Sequence, residues 1–169
     1  EILRAYPRSA QAMDPVLLIF DDGSGAMVPL LHEFIAELSF ENGEWVGLAY
    51  EASENSLFHD PDPASRRKRR YLREFVLAAV ERGVFQPDRD ILATLVARLH
   101  EAPVPDPMLL LSLAYALDDN GMVGRLRELV TEMQARGAAL LFDVLLLAHR
   151  PGEGQDELRA SSPGMPLLA

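Results

Sequence analysis

No cysteine occurs in the 169 residues, which excludes a disulfide framework, a thiolate zinc site and a cysteine nucleophile. Lysine is nearly missing too: fifteen of the sixteen cations are arginine, with Lys68 the exception. From Ser9 to Ser65 there is neither Lys nor Arg, while eleven carboxylates fall in that stretch. A formal charge of −10 and a pI near 4.8 argue against nucleic-acid binding, because a surface that tracks phosphates needs net positive potential. The longest uncharged apolar run, Pro107 to Leu117, is about half of a bilayer span, so no membrane partner is expected. The chain opens at Glu1 without the cationic start and apolar stretch of a secretory signal. A cytoplasmic piece of a longer protein is the expectation.

What is present points to a globular chain. Apolar residues make up 49%, too many for a disordered segment. A chain of this length forms one ordinary domain that buries roughly two-thirds of its unfolded surface. The run Val16-Leu17-Leu18-Ile19-Phe20 follows Pro15 and stops at Asp21-Asp22-Gly23-Ser24-Gly25, which reads as a strand and a turn. Residues 28–38 are ambiguous. Leu30, Leu31, Phe34, Ile35 and Leu38 have the spacing of a helix face, whereas Phe34, Ala36, Leu38 and Phe40 alternate like a strand running into Asn42-Gly43. Asn-Gly between apolar segments is a strong hairpin signal, because both central residues of a type I′ turn need positive φ. Phe34 to Tyr50 is therefore read as a hairpin, with a helix over Val28 to Leu38 as its competitor.

The second half has helical spacing. Tyr71, Leu72, Phe75, Val76, Ala79 and Val80 form an amphipathic stripe ending near Gly83, and Ile91, Leu92, Leu95, Val96 and Leu99 form another ending at Pro103. Asp106-Pro107 is an N-cap with proline at the first helical position. The helix it opens is apolar all round as far as Leu117, which predicts a place at the centre of a bundle. Leu126, Leu129, Val130 and Met133 give the next stripe, closed by Gly137, and Leu140 to Ala148 the last. No fixed repeat period links these helices. The expectation is a single α+β domain over 1–150: a β-rich part (14–52) with a small antiparallel meander, a linker and basic cluster (53–70), and an array of about five helices (71–150). A flexible tail over 151–169 follows.

Two places invite chemistry. Asp21-Asp22-Gly23-Ser24-Gly25-Ala26-Met27 follows a strand, where carboxylates would hold a hard cation in an open α/β sheet. Asp22 and Ser24 match the start of the D-x-S-x-S metal motif of von Willebrand A domains, but Ala26 stands where the second hydroxyl belongs. The D-x-D motif of haloacid dehalogenases fails at Gly23, and a nucleophile elbow around Ser24 lacks both glycines. A solvated turn is the simpler account, since Asp, Gly and Ser are ordinary turn residues. His32, His59, His100 and His149 have no metal-binding spacing. No cofactor is expected, and an enzyme would have to rest on Asp21 or Ser24. The second place is Arg66-Arg67-Lys68-Arg69-Arg70 with Arg73, six cations in eight residues. It suits an anionic partner surface or protease cleavage in an exposed loop. It also suits a helix start neutralised by the acidic block, since cations at a helix N-terminus oppose the dipole by about 0.3–1 kcal/mol each.

Taken together, the Asp-Asp-Gly-Ser-Gly strand end, the hairpin ending in Val46-Gly47-Leu48-Ala49-Tyr50-Glu51-Ala52-Ser53 and the Asp106-Pro107-Met108 opening resemble a known kind of region. It is similar to the accessory C-terminal segment behind the protease domain in multidomain bacterial caspase-like proteins, which are associated with defence and regulated cell death. The resemblance spans roughly residues 14 to 148 and implies a non-catalytic regulatory module that binds a protein partner or its own upstream domain. No catalytic residue carries over. The alternative is a divalent-cation-dependent von Willebrand A-like binding domain of α/β fold, with Asp22 and Ser24 as ligands.

Overall fold

Residues 14–41, 44–82, 85–101, 106–138 and 140–149 are described by a computed structural model. The Asn42-Gly43 turn, the helix stops at Gly83, Pro103 and Pro151, and the tail over 151–169 lie outside them. Strand β1 (Asp14–Ile19) pairs antiparallel with β2 (Gly25–Leu30), Leu17 opposite Met27. The loop between them closes with the Gly23 N–H donating to the Phe20 carbonyl and the Phe20 N–H to the Ser24 carbonyl, both at 2.9 Å. Gly23 takes φ +83°, the left-handed conformation that this turn and bulge need.

Strand β3 (Phe34–Glu41) pairs antiparallel with β4 (Glu44–Ala52), with a register irregularity between Ser39 and Phe40. Of the two accounts of residues 28–38, strand wins, but in two pieces. Leu31, His32 and Glu33 interrupt it, and Glu33 has φ +69°. Two separate hairpins result. They meet through an edge-to-face contact of Phe20 with Phe40, ring centres 5.3 Å apart, and a 2.6 Å hydrogen bond from the Tyr50 hydroxyl to the Pro29 carbonyl. Strand β2 was hidden in the sequence by Gly25 and Pro29, residues that weaken a strand interior and are tolerated at an edge.

Among the described residues five helices follow: α1 (Pro63–Glu81), α2 (Arg89–Glu101), α3 (Pro107–Asp119), α4 (Val123–Ala135) and α5 (Phe142–Ala148). Asp106 caps α3 as its position before Pro107 predicts, its Oδ1 accepting from the N–H groups of Met108 and Leu109. Asp88 caps α2 through the Ile91 N–H. Helices α3 and α4 both end in left-handed glycines. The Met122 N–H returns to the Leu117 carbonyl past Gly121, and the Ala138 N–H to the Met133 carbonyl past Gly137. This is the paired-bond pattern of a Schellman ending. The apolar α3 lies against α1, α2, α4, α5 and β4, so it occupies the centre that its uniform hydrophobicity requires. Its own Leu117 is completely buried, as are Leu92, Leu126, Leu129, Met133 and Val144 around it.

The α+β class stands, and the von Willebrand A alternative does not. That fold needs a parallel sheet, whereas every strand among the described residues pairs antiparallel. A second difference concerns α1. It starts at Pro63, eight residues before the apolar stripe, so the basic cluster is helix rather than linker. Asp62 explains the early start: its side chain accepts from the N–H groups of Ala64 and Ser65, and Pro63 stands at the first helical position.

Candidate interaction site

Helix α1 sorts its cations by direction. Successive residues turn about 100° around the axis, so Arg66, Arg69 and Arg73 share one side while Arg67, Lys68 and Arg82 lie on the other. The inward set is fully engaged. Arg66 donates to the Asp60 carbonyl at 2.9 Å and lies 3.3 Å from His59 Nε2. Arg69 pairs with the Asp60 carboxylate, and Arg70, between the two sides, pairs with Glu74 one turn on at 3.0 Å. Proximity to Arg69, then the Asp62 N–H and the positive charges nearby, hold the Asp60 carboxyl below its usual range. The Ser65 hydroxyl and two backbone amides do the same for Asp62. The acidic block thus neutralises part of the cationic helix start, as the sequence suggested.

Arg73 is the deepest of the six, only 4% exposed. Its guanidinium donates to the Tyr50 carbonyl at 2.9 Å, to Glu51 Oε1 at 2.7 Å and to Asp106 Oδ2 at 3.1 Å. One side chain therefore joins β4, α1 and the N-cap of α3. Burial works against its charge, but the bond to Glu51 and the charges of Asp106 and Glu51 hold the group above its ordinary value. Burial pushes the Asp106 carboxyl up, against the pull of Arg73 and of two backbone amides. The space beside this cluster amounts to about 20 Å³, room for one water molecule and not for a metabolite. Arg73 is a structural joint, out of reach of any partner.

The outward side of α1 is different. Tyr71, Leu72 and Phe75 are 71%, 42% and 64% exposed, so most of the stripe that reads as a core face meets water; only Val76 turns inward and is buried. Arg67, Lys68 and Arg82 are exposed and make no ion pair with a described residue. Of the six cations singled out in the sequence, two are thus available to a partner. Their helical backbone is unlike the extended, exposed loop that a protease takes.

The other candidates stay apart. Asp22 accepts from both the Ser24 N–H at 2.9 Å and the Ser24 hydroxyl at 2.6 Å, which lowers its carboxyl below the ordinary range. Both residues are exposed in a hairpin turn, and among the described residues no three His, Cys, Asp or Glu side chains gather as a metal site. Asp22 and Ser24 thus stand in the turn between two antiparallel strands, not at the end of a parallel one. His32 Nδ1 is 3.8 Å from Glu33, while the Ser56 hydroxyl donates to the other Glu33 oxygen at 2.7 Å. A carboxylate sits between hydroxyl and imidazole, the reverse of the order a nucleophile needs. Glu33 also accepts from the Leu57 N–H at 2.6 Å, fastening the loop before α1 to the bend between hairpins. A second cleft lies between residues 85–88 and the end of α3; of its polar side chains Asp88 caps α2, and Asn120 donates to the carbonyls of Ala116 and Pro87.

Sequence reasoning missed the joint at Arg73 and the tie at Glu33. Arg73 lies three residues before Val76 on the inward side, and Asp106 is a cap, but nothing local pairs two residues so far apart. Among the described residues no helix is long and apolar enough to cross a membrane. Comparison with protein-family models, curated proteins and solved structures yields no match to this chain.

Proposed function

We propose that this chain is a non-catalytic protein-interaction module of a larger bacterial protein, and that helix α1 presents its binding face. The observation that carries this is the outward stripe of Tyr71, Leu72 and Phe75 beside the exposed Arg67 and Lys68. Contiguous apolar side chains left in water and rimmed by charge are a mark of association surfaces. The resemblance to accessory regions of caspase-like proteases gives a context in which the face would regulate, or be regulated by, an upstream protease domain.

A photo-cross-linking residue placed at Phe75 of the full-length protein, in its own cells, is expected to give a protein adduct. The same residue at the exposed Thr131 of α4 serves as control. Adducts of equal yield at both positions, or none at Phe75, would remove the proposal. Turnover in a broad esterase and phosphatase screen that Asp21→Ala or Ser24→Ala abolishes would show an enzyme instead.

A further inference from the structure

The outward face of α1 has a charge pattern as well as an apolar centre. Lys68, Tyr71, Phe75 and Arg82 follow the alternating three- and four-residue steps of a helix-pairing seam, with Arg67 and Leu72 beside it. Cations stand at both ends, Arg67 and Lys68 on one side and Arg82 about 21 Å further along the axis, as a rise of about 1.5 Å per residue gives. Glu74 at the margin is taken by Arg70. A complementary surface therefore has an apolar middle of about two turns and carboxylates at each end.

On the interaction-module reading above, we propose that this face pairs with an acidic amphipathic helix of a partner protein. Three other occupants fit less well. A second copy laid on the same face, parallel or antiparallel, sets cations against cations at both ends, which opposes pairing. A second copy offering its β1–β2 hairpin, with Leu17 and Ile19, brings the carboxylates of Asp21 and Asp22 together at the turn end only and so meets the cations at one end of the face, not both. An anionic bilayer meets two or three cations on a chain whose net charge is −10, and stable surface binding needs a larger basic patch.

The test uses the 169-residue protein and fluorescent synthetic peptides of about 20 residues, long enough to span the face. One peptide carries leucines at seam positions and paired glutamates at both ends, and its twin carries lysines in place of the glutamates. Phosphatidylserine vesicles are the lipid arm. The expected result is saturable binding of the acidic peptide, monitored by anisotropy, which weakens as salt rises. Combined Arg67→Glu, Lys68→Glu and Arg82→Glu should weaken it by about tenfold or more and turn preference to the lysine peptide. Leu72→Ser with Phe75→Ser should abolish it; all five positions are exposed, so the fold should survive. Equal binding of both peptides, indifference to the charge reversals, capture by vesicles alone, or concentration-dependent self-association in place of peptide binding would each overturn the proposal. If the acidic peptide fails while Phe75 still cross-links in cells, the partner class falls and the interaction module stands; if both fail, the module falls too.

Discussion

Leu117, Leu126 and Leu129 in the C-terminal helices are completely buried, whereas Leu17 and Ile19 in β1 keep 62% and 74% of their surface in water. Helices α3, α4 and α5 surround one another, so an apolar side chain on any inward stripe finds neighbours. A hairpin of two strands has two faces and little to cover either, and it is marginal by itself. The hairpin half buries a smaller set, Ala26, Val28, Leu31 and Tyr50, and a few polar ties add to it: Tyr50 to Pro29, Glu33 to Ser56 and Leu57, and Arg73 to Tyr50 and Glu51. One half rests on a large buried area and the other on a smaller one joined to specific bonds, so the two should respond to different perturbations.

The largest expected effect comes from the joint between them. Arg73→Ala leaves the buried Asp106 carboxylate without its partner and should cost about 3–5 kcal/mol in urea unfolding. Arg73→Met combined with Asp106→Ser removes both charges, keeps a capping oxygen and should recover most of that loss. If the double variant were as unstable as the single one, the joint would owe its importance to packing rather than to charge. Next, Leu129→Ala in α4 should cost about 3 kcal/mol through the cavity it leaves, while Leu17→Ala in β1 should stay within about 0.5 kcal/mol. Equal losses at the two sites would erase the contrast between the halves.

Tyr50→Phe removes the donor that holds Pro29 and should cost about 1 kcal/mol, read most directly as faster amide exchange in β2. Acid should act first where α1 begins. Asp60 and Asp62 have carboxyls held below 3.8, so their stabilisation is complete above that value and is lost as pH falls through the lowered one. Amide protection at the start of α1 should drop over that interval in the parent and change less in Asp60→Asn. Asp106 has the opposite sign. Its raised carboxyl favours folding below 3.8, and that contribution is lost as pH rises through the higher folded value. Arg73→Ala should enlarge this opposing slope, a signature that loss of packing would not give. The smallest effect is expected at Lys68→Ala, within about 0.5 kcal/mol, because the residue is exposed and has no ion pair among the described residues.

Much of this was legible in the residues. Asp106 before Pro107, Gly137 after an apolar stripe and the alternation of Phe34, Ala36, Leu38 and Phe40 each name a local conformation with a local cause, and a helix start, a helix end and a strand stand there. Strand β2 was less legible, because Gly25 and Pro29 are poor strand residues that only its edge position tolerates. The basic cluster was conspicuous by composition, yet composition is silent about direction. Helical spacing told which residues of α1 share a face and could not say whether protein or water would meet it.

The sequence by itself determined a β-rich part followed by an array of helices, the cap at Asp106 and the all-apolar centre at α3, since these follow from backbone preferences and periodicity within a few residues. Only the tertiary structure decided that Arg73 turns inward and Phe75 outward. That choice depends on Glu51, 22 residues before Arg73, and Asp106, 33 residues after it, whose carboxylates draw one side of α1 against β4 and α3. A buried arginine is tolerable only where such partners converge, and they converge only once the chain has folded. With that side of α1 fixed against the body, the apolar stripe was left to face the solvent.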